Sequence, residues 1–152
     1  ELNNVGLYSV VFDNSNKKDE AYYTNTNQTF AFADGVVTAS YGSATALALA
    51  DVTVDDIVTP GLKTKHKEKI KQQASSLLAT YDWYVIRKAD AGTAVPSAIT
   101  TYRAAVRTKS GEMETAIDNA ADVDALAALY EYTRQEDGSH TRPLGEFPVL
   151  EI

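Results

Sequence analysis

Apolar residues recur at helical spacing in two stretches of the second half of the chain. In the first stretch they are Ile70, Ala74, Leu77, Leu78 and Tyr81, and in the second they are Ile99, Tyr102, Val106, Met113 and Ile117. Such spacing is typical of a helix that docks on a core by one face. We therefore predict one amphipathic helix over about residues 63–80 and a second over about residues 97–109. The second helix could continue past Gly111 to residue 120, or kink or stop at this glycine, which costs about 1 kcal/mol relative to alanine in a helix interior.

Two further segments follow these helices. Asp122 is placed to cap a third helix that runs through Tyr130 and carries Val123, Leu126, Leu129 and Tyr130 on its apolar side. The polar stretch QEDGSH, residues 135–140, predicts a turn. Residues 143–152, PLGEFPVLEI, predict an extended terminus that is apolar enough to lie on a protein surface.

The first third of the chain carries the signals of β-structure. Residues 5–12, VGLYSVVF, are rich in β-branched and aromatic side chains and predict a strand, and residues 21–25 are a second candidate. Asp34-Gly35 separates the strand-like runs TFAFA and VVTASY. Because both central residues of a type I′ turn need positive φ, which this pair tolerates, a tight hairpin is predicted here. Phe30 and Phe32 share one face of the hairpin, and we expect that face to belong to the core.

The passage from strands to helices has a more ambiguous pattern. Residues 43–50, SATALALA, fit either a helical turn or a strand, and residues 51–58, DVTVDDIV, fit a strand or a loop. Thr59-Pro60-Gly61 marks a break. The sequence thus predicts an α+β fold, in which a small antiparallel β-sheet at the N-terminus precedes a helical hairpin and a third short helix. Its three segments are a β-rich part (1–58), a helical part (59–134) and an extended C-terminal tail (135–152).

Composition and charge narrow the range of functions. Hydrophobic residues make up 44% of the chain, enough for a core, and the absence of cysteine excludes disulfides and zinc–thiolate sites. The net charge of −7 argues against a nucleic-acid partner, and no apolar run is long enough to span a membrane, so we expect neither partner. A local basic run holds Lys63, Lys65, His66, Lys67, Lys69 and Lys71. It predicts a solvated helix face, although docking on the acidic N-terminal part or on an acidic partner would also use it.

Residues that could carry chemistry form no recognisable constellation. His66 and His140 have no Ser or Asp neighbours at motif spacing, and Asp55-Asp56 would need further oxygen ligands that the sequence does not organise. GSAT at residues 42–45 lacks the flanking glycines and the lysine of a phosphate loop. We therefore expect no catalytic residue, no metal site and no cofactor, and a protein that is not an enzyme.

An aromatic and charged junction, DWYVIR at residues 82–87, lies between the two amphipathic helices. Its Trp83 is the only tryptophan, and we expect it to be largely buried. Asp82 could cap a new turn or pair with an arginine of the facing helix, and Gly92 could end the helical turn before it. The candidate contact site consists of Asp82, Trp83, Arg87, Tyr102, Arg103 and Arg107. Two interpretations stay open: a network that holds the two helices together, which we favour, and a recognition surface for a partner.

Residues 77–107 also carry a family resemblance. A Leu-Leu helix end, an Asp-Trp pair, a proline-containing loop, a Tyr-Arg pair and a second arginine follow in order, at Leu77, Leu78, Asp82, Trp83, Pro96, Tyr102, Arg103 and Arg107. This order resembles a segment of the tail-assembly chaperone and tail-fibre-assembly proteins of tailed bacteriophages. The resemblance implies a non-enzymatic virion tail protein, made in the host bacterial cytoplasm. Its implied partners are other tail, baseplate or fibre proteins, with a homo-oligomer also open.

Two roles are compatible with that resemblance, and a small adaptor or inhibitor unrelated to phages is a third interpretation. We favour a structural tail component at a baseplate or fibre attachment, because the apolar ends and the strands offer contacts between subunits. The alternative is a transient assembly chaperone. Phe147, Val149 and Leu150 distinguish these two roles. If they fold back on their own hairpin, a self-contained chaperone is favoured; if they project outward, a structural component is favoured.

Overall fold

The computed structural model of the chain describes residues 7–150. It confirms the α+β fold, with strands in the N-terminal half followed by helices. The chain divides into two compact units, which we call the strand unit (Glu1–Leu47) and the helical unit (Ala48–Ile152). The division falls before the predicted boundary at residue 58. The start of the predicted first strand, residues 5–6, and the last two residues of the predicted terminus lie outside the described residues.

The strand unit contains a three-stranded sheet and a short two-stranded ladder. The strands are β1 (Ser9–Asp13), β2 (Tyr23–Thr24), β3 (Gln28–Ala33), β4 (Val36–Tyr41) and β5 (Thr45–Ala46). The sheet order is β1-β4-β3, and β2 pairs with β5. Strand β4 runs antiparallel to β3 but parallel to β1, so the sheet is mixed rather than purely antiparallel as predicted. The connection from β1 to β4 is longer than the dozen residues that a parallel crossover requires, and this permits the parallel pairing.

The β3–β4 hairpin has the turn that the sequence predicts. Asp34 and Gly35 both have positive φ, 50° and 78°, and Ala33 pairs directly with Val36 across the turn. Phe30 and Phe32 share one face, but they are 67% and 60% exposed, so their predicted place in the core is wrong. Period-two spacing identifies a shared face, whereas burial requires a second layer on that face, which spacing cannot supply.

The helical unit begins with a two-stranded ribbon and continues with four helices and a second ribbon. The first ribbon pairs β6 (Val52–Val54) with β7 (Ile57–Thr59) around Asp55 and Asp56, which form a turn with φ of 48° and 62°. The helices are α1 (Leu62–Ala79), α2 (Asp82–Ala91), α3 (Ser97–Asn119) and α4 (Val123–Ala128). The second ribbon pairs β8 (Thr133–Arg134) with β9 (His140–Thr141) around the predicted turn.

The packing of α1, α3 and α4 confirms the predicted apolar faces. The buried residues are Ile70, Ala74, Ile99, Tyr102, Val106, Met113, Ile117, Val123 and Leu126. Helix α3 runs without a break through Gly111, because Val106 and Met113 on either side of it are fully buried. Full burial of such a side chain contributes about 1.5–3 kcal/mol, more than a helical glycine costs. Asp122 caps α4 as predicted, accepting a hydrogen bond from the Ala125 N–H at 2.7 Å.

The basic run on α1 is only partly a solvated face. Lys65 and Lys69 are exposed, as predicted. Lys67 instead forms an ion pair with Asp118 of α3 at 2.8 Å, and Lys71 pairs with Glu114 at 3.4 Å. Part of the run therefore binds acidic side chains of the neighbouring helix, an arrangement that the sequence reading did not include.

Candidate functional site

The predicted junction between the two long helices is itself a helix, α2. Only Thr80 and Tyr81 separate it from α1, and it ends at Gly92, whose φ of 69° provides the predicted stop. Its aromatic and β-branched residues are weak helix formers, and ten residues are too few for clear periodicity. The signals that identify it are the acidic residue in its first turn, the basic Lys88 in its last turn and the glycine that follows.

Asp82 and Arg103 connect α2 to α3. The Nη1 atom of Arg103 lies 2.8 Å from Asp82 Oδ1 and donates a hydrogen bond to the Leu78 carbonyl oxygen at 2.7 Å. Arg103 is largely buried, whereas Asp82 is half exposed and its side chain makes no capping hydrogen bond at the start of α2. Of the two predicted roles of Asp82, the ion pair is therefore the one observed. One guanidinium group thus joins three helices.

Tyr102 belongs to the core beneath this ion pair. It is buried in a cluster with Ala74 and Val106, and its ring meets the ring of Tyr81 edge to face at 5.5 Å between centroids. Burial, with a smaller effect from Tyr81, raises the pKa of the Tyr102 hydroxyl above its usual value. Tyr102 therefore acts in packing, which is the favoured interpretation for this part of the site.

Trp83 and Arg87 lie on the exposed side of α2. Trp83 is 49% exposed, so its predicted burial is wrong. Its ring stacks on that of Tyr84 at 3.7 Å, and the Arg87 guanidinium lies 4.8 Å from the Trp83 ring and 5.3 Å from the Tyr84 ring. The i, i+4 spacing on a helix brings Arg87 over the indole. We call Trp83, Tyr84 and Arg87 the aromatic–arginine cluster.

The guanidinium of Arg87 retains hydrogen-bonding capacity. Its Nε atom is buried and has no hydrogen-bond partner within residues 7–150. Such a buried donor is costly when it is left unsatisfied. The terminal nitrogens of the same guanidinium group are further donors that a carboxylate or carbonyl group could use. The aromatic–arginine cluster therefore combines exposed ring surface with a partly buried cation.

Arg107 lies in an open cleft beside the ion pair. The cleft has a volume of about 430 Å³, and its lining includes Lys71, Ser75, Leu78, Asp82, Arg103 and Arg107. Arg107 is exposed, and its Nη1 atom donates a long hydrogen bond of 3.5 Å to the Arg103 carbonyl oxygen. Because Arg103 already binds Asp82 and Leu78, Arg107 is the arginine in this cleft that has room for an external anion.

The C-terminal segment packs on the same helices. Leu144 is fully buried and its N–H donates to the Leu129 carbonyl oxygen at 3.0 Å. Phe147 and Leu150 are partly buried against the cluster of Ala74, Tyr102 and Val106, and Val149 points outward at 84% exposure. Two of the three diagnostic residues thus fold back on their own hairpin.

The six predicted site residues therefore separate into two groups. Asp82, Tyr102 and Arg103 hold the helices together, whereas Trp83 and Arg107 are exposed and Arg87 is partly buried beside Trp83. Tyr84 is a seventh residue that sequence reasoning missed, although its place next to Trp83 was a signal for it.

Two further searches covered the described residues. Residues 7–150 contain no group of three or more His, Asp or Glu side chains that could hold a metal ion. Within the same range, no helix has the length and apolar character that crossing a membrane requires.

Compared with known proteins, the chain matches no family model, no curated protein and no solved structure. Its resemblance to tail-assembly proteins therefore rests on the motif in residues 77–107 alone.

Proposed function

We propose that this chain is a non-enzymatic protein of tailed-phage tail assembly that acts through protein–protein contact. The motif that carries the resemblance forms the end of α1, the whole of α2 and the first half of α3. Its polar members come together in space: Asp82 pairs with Arg103, and both line the cleft that holds Arg107. The motif therefore corresponds to one local structure in this chain.

Of the two roles, the transient assembly chaperone has the better support. The observation that carries it is the packing of Phe147 and Leu150 on the core cluster of the helical unit. Residues of the C-terminal segment that fold back on their own hairpin favour a self-contained chaperone, and Phe147 and Leu150 do so. The partner would be a tail or fibre protein that the chain holds before assembly.

The contact surface for that partner is the aromatic–arginine cluster together with Arg107. Tryptophan, tyrosine and arginine are the residues most enriched in the energetically dominant parts of protein interfaces. The two arginines favour an acidic segment on the partner, since a guanidinium group binds carboxylates with two parallel hydrogen bonds. Because the net charge of the chain is −7, this basic site is a local feature of an otherwise acidic protein.

A permanent structural component at a baseplate or fibre attachment is the second candidate, and a different observation favours it. The β6–β7 ribbon exposes Val52, Val54, Ile57 and Val58. A two-stranded ribbon of this kind is marginal without further packing, and lattice-type contacts in a particle would provide it.

The experiment is mass spectrometry of salt-washed particles from the source phage and of the infected-cell lysate. A chaperone is expected in the lysate and absent from the particles. Presence in particles at a fixed ratio to a tail protein would replace the chaperone with the structural role. A chain whose gene lies outside any phage genome, or that binds no tail protein in either sample, would overturn the proposal itself.

The contact surface is tested by affinity capture from the same lysate. The double substitution Trp83→Ala and Arg87→Ala is expected to lower recovery of the partner at least tenfold. Lys88→Ala, an exposed change on the same helix, is the matched control and is expected to retain full recovery. Equal recovery with all variants would rule out this surface.

A further inference from the structure

One face of the sheet in the strand unit is largely apolar, with the pair Gln28 and Tyr41 at one end of it. The register of the three strands places Val10, Val37 and Phe32 side by side in one row, and Phe12, Ala39 and Phe30 in the next. Tyr8 extends this face, because its ring contacts the ring of Phe32 at 4.7 Å. We call this surface the aromatic face: Tyr8, Val10, Phe12, Phe30, Phe32, Val37 and Ala39.

The other face of the same sheet has a different character. Its side chains alternate with those of the aromatic face. They are mixed: Ser9, Asp13, Thr29, Thr38 and Ser40 lie among Val11, Ala31, Ala33 and Val36, and none of them is aromatic. A sheet with one more apolar and one more polar face is the usual pattern of an outer layer that covers a core. The sheet is therefore built to pack on something by its aromatic face.

The aromatic side chains of that face are largely exposed. Phe12 is 64% exposed, similar to Phe30 and Phe32, whereas Ala39 between them is fully buried. The four aromatic residues and Val10 together expose roughly 500 Å² of side chain, given that such aromatic rings carry about 150–250 Å² each. This area is at the upper end of the apolar patches found on monomeric proteins, and patches of that size mark interaction sites.

We propose that a second copy of this chain covers the aromatic face, so that two sheets pack face to face about a two-fold axis. The face carries no charged side chain and so offers no feature to select a charged partner, whereas a second copy presents a surface of the same size and chemistry. Two such faces in contact would remove about 1,000 Å² from water, which reaches the size of a specific interface. Paired sheets at a separation of about 10 Å would complete the two-layer core that a single sheet lacks.

This inference goes beyond the proposed function and does not depend on it, because it uses only the strand unit. It commits to a second copy rather than to another protein. A tail protein that bound the same face would leave the purified chain monomeric, so the two occupants give different results in the experiment below.

The test is sedimentation equilibrium of the full chain over a range of concentrations. The expected mass is about 33 kDa, twice that of the 16.5 kDa chain. Phe32→Glu places a charge on the aromatic face and is expected to raise the dimer dissociation constant at least 100-fold. Ala31→Glu, one residue earlier on the opposite face of β3, adds the same charge and is expected to leave the dissociation constant within a factor of three.

A second measurement covers the case in which Phe32→Glu disrupts the hairpin. The chain has no cysteine, so Phe30→Cys and Thr29→Cys each introduce a single thiol, on opposite faces of β3. A short bismaleimide linker is expected to join two chains through position 30 and not through position 29. A monomeric parent at several hundred micromolar, a mass of three or more chains, equal effects of the two glutamates, or equal cross-linking at both positions would overturn the proposal.

Discussion

Arg103 binds Asp82 at 2.8 Å across the boundary between two helices, and the same nitrogen donates to the Leu78 carbonyl at 2.7 Å. The last turn of α1 leaves carbonyl groups without partners inside the helix, and the first turn of α2 favours an acidic side chain. A single guanidinium group from α3 is therefore bound by the end of one helix and the beginning of the next. This contact holds the end of α1 and the beginning of α2 against α3.

Arg103→Ala should destabilise the protein by about 1–3 kcal/mol, because it removes a largely buried, charged donor from the Asp82 carboxylate and from the Leu78 carbonyl, which keeps its hydrogen bond from the Tyr81 N–H at 3.1 Å. Asp82→Asn should cost only about 0–1 kcal/mol, since Asp82 is half exposed and the Leu78 contact remains. The free energy of unfolding from urea titration gives both values. Arg107→Ala is the control, with an expected change within about 0.5 kcal/mol. A larger effect of Arg107 than of Arg103 would contradict this account.

Trp83 should be accessible to solvent in the folded protein. Because Trp83 is the only tryptophan, the tryptophan fluorescence of the chain comes from this position alone. At 49% exposure, acrylamide should quench this fluorescence about half as efficiently as in the urea-unfolded chain. Arg87→Ala should increase that quenching, because the Arg87 guanidinium covers the indole at 4.8 Å. Lys88→Ala serves as the control and should not change it. Emission shifted to short wavelength with little quenching would instead support the buried tryptophan that the sequence predicts.

The parts of the fold that the sequence predicted well are those set by local or periodic signals. The apolar spacing over Ile99, Val106 and Ile117 repeats for several turns, so the position and the buried face of α3 followed from it. Asp34-Gly35 specified its turn through the backbone conformation that these two residues tolerate. In both cases residues close in the chain carry the information.

The parts that could not be predicted depend on distant contacts. The direction of β1 beside β4 is decided by a connection that no local pattern describes. The burial of Phe30 and Trp83 depends on whether another layer of the protein covers them. The sequence does not distinguish a covered aromatic residue from an exposed one. In the candidate site, the partner of Asp82 lies twenty-one positions away at Arg103, which left capping and pairing equally open.

Gly111→Ala should stabilise the protein by up to about 1 kcal/mol. Gly111 lies within continuous helix α3, and a methyl group added there would meet no atom within 4 Å. Alanine has the higher helix propensity and reduces the conformational freedom of the unfolded chain. Gly92→Ala is the matched contrast, since it has equal free space but a φ of +69°, and it should destabilise by about 1 kcal/mol. The unfolding temperatures of the two variants should therefore shift in opposite directions relative to the parent. A shift in the same direction would contradict the helical conformation at Gly111 and the positive φ at Gly92.

His66 should make stability depend on pH. Burial, with a smaller effect from Lys69, lowers the pKa of His66 below its usual value of 6.5. The folded state thus favours the neutral imidazole, and the unfolded state binds more protons just below pH 6.5. The contribution of neutral His66 to the free energy of unfolding is fully present above pH 6.5. It is lost as the pH falls through the pKa that His66 has in the folded state. His66→Gln should reduce the loss of stability between pH 7.5 and 5, measured by urea unfolding. An unchanged profile for His66→Gln would contradict the lowered pKa.

Phe147→Ala should cost about 1–3 kcal/mol, less than the 3–5 kcal/mol of a fully buried phenylalanine, because Phe147 is only partly buried against Ala74, Tyr102 and Val106. Val149→Ala, two residues later and 84% exposed, should change stability by less than about 0.5 kcal/mol. Urea unfolding measures both, and hydrogen exchange of the Leu144 amide, which donates to Leu129, should speed up in the first variant alone. If Phe147→Ala is as neutral as Val149→Ala, the C-terminal segment is not docked in solution. Its apolar residues would then be free to contact another subunit, and the evidence would favour a structural tail component over an assembly chaperone.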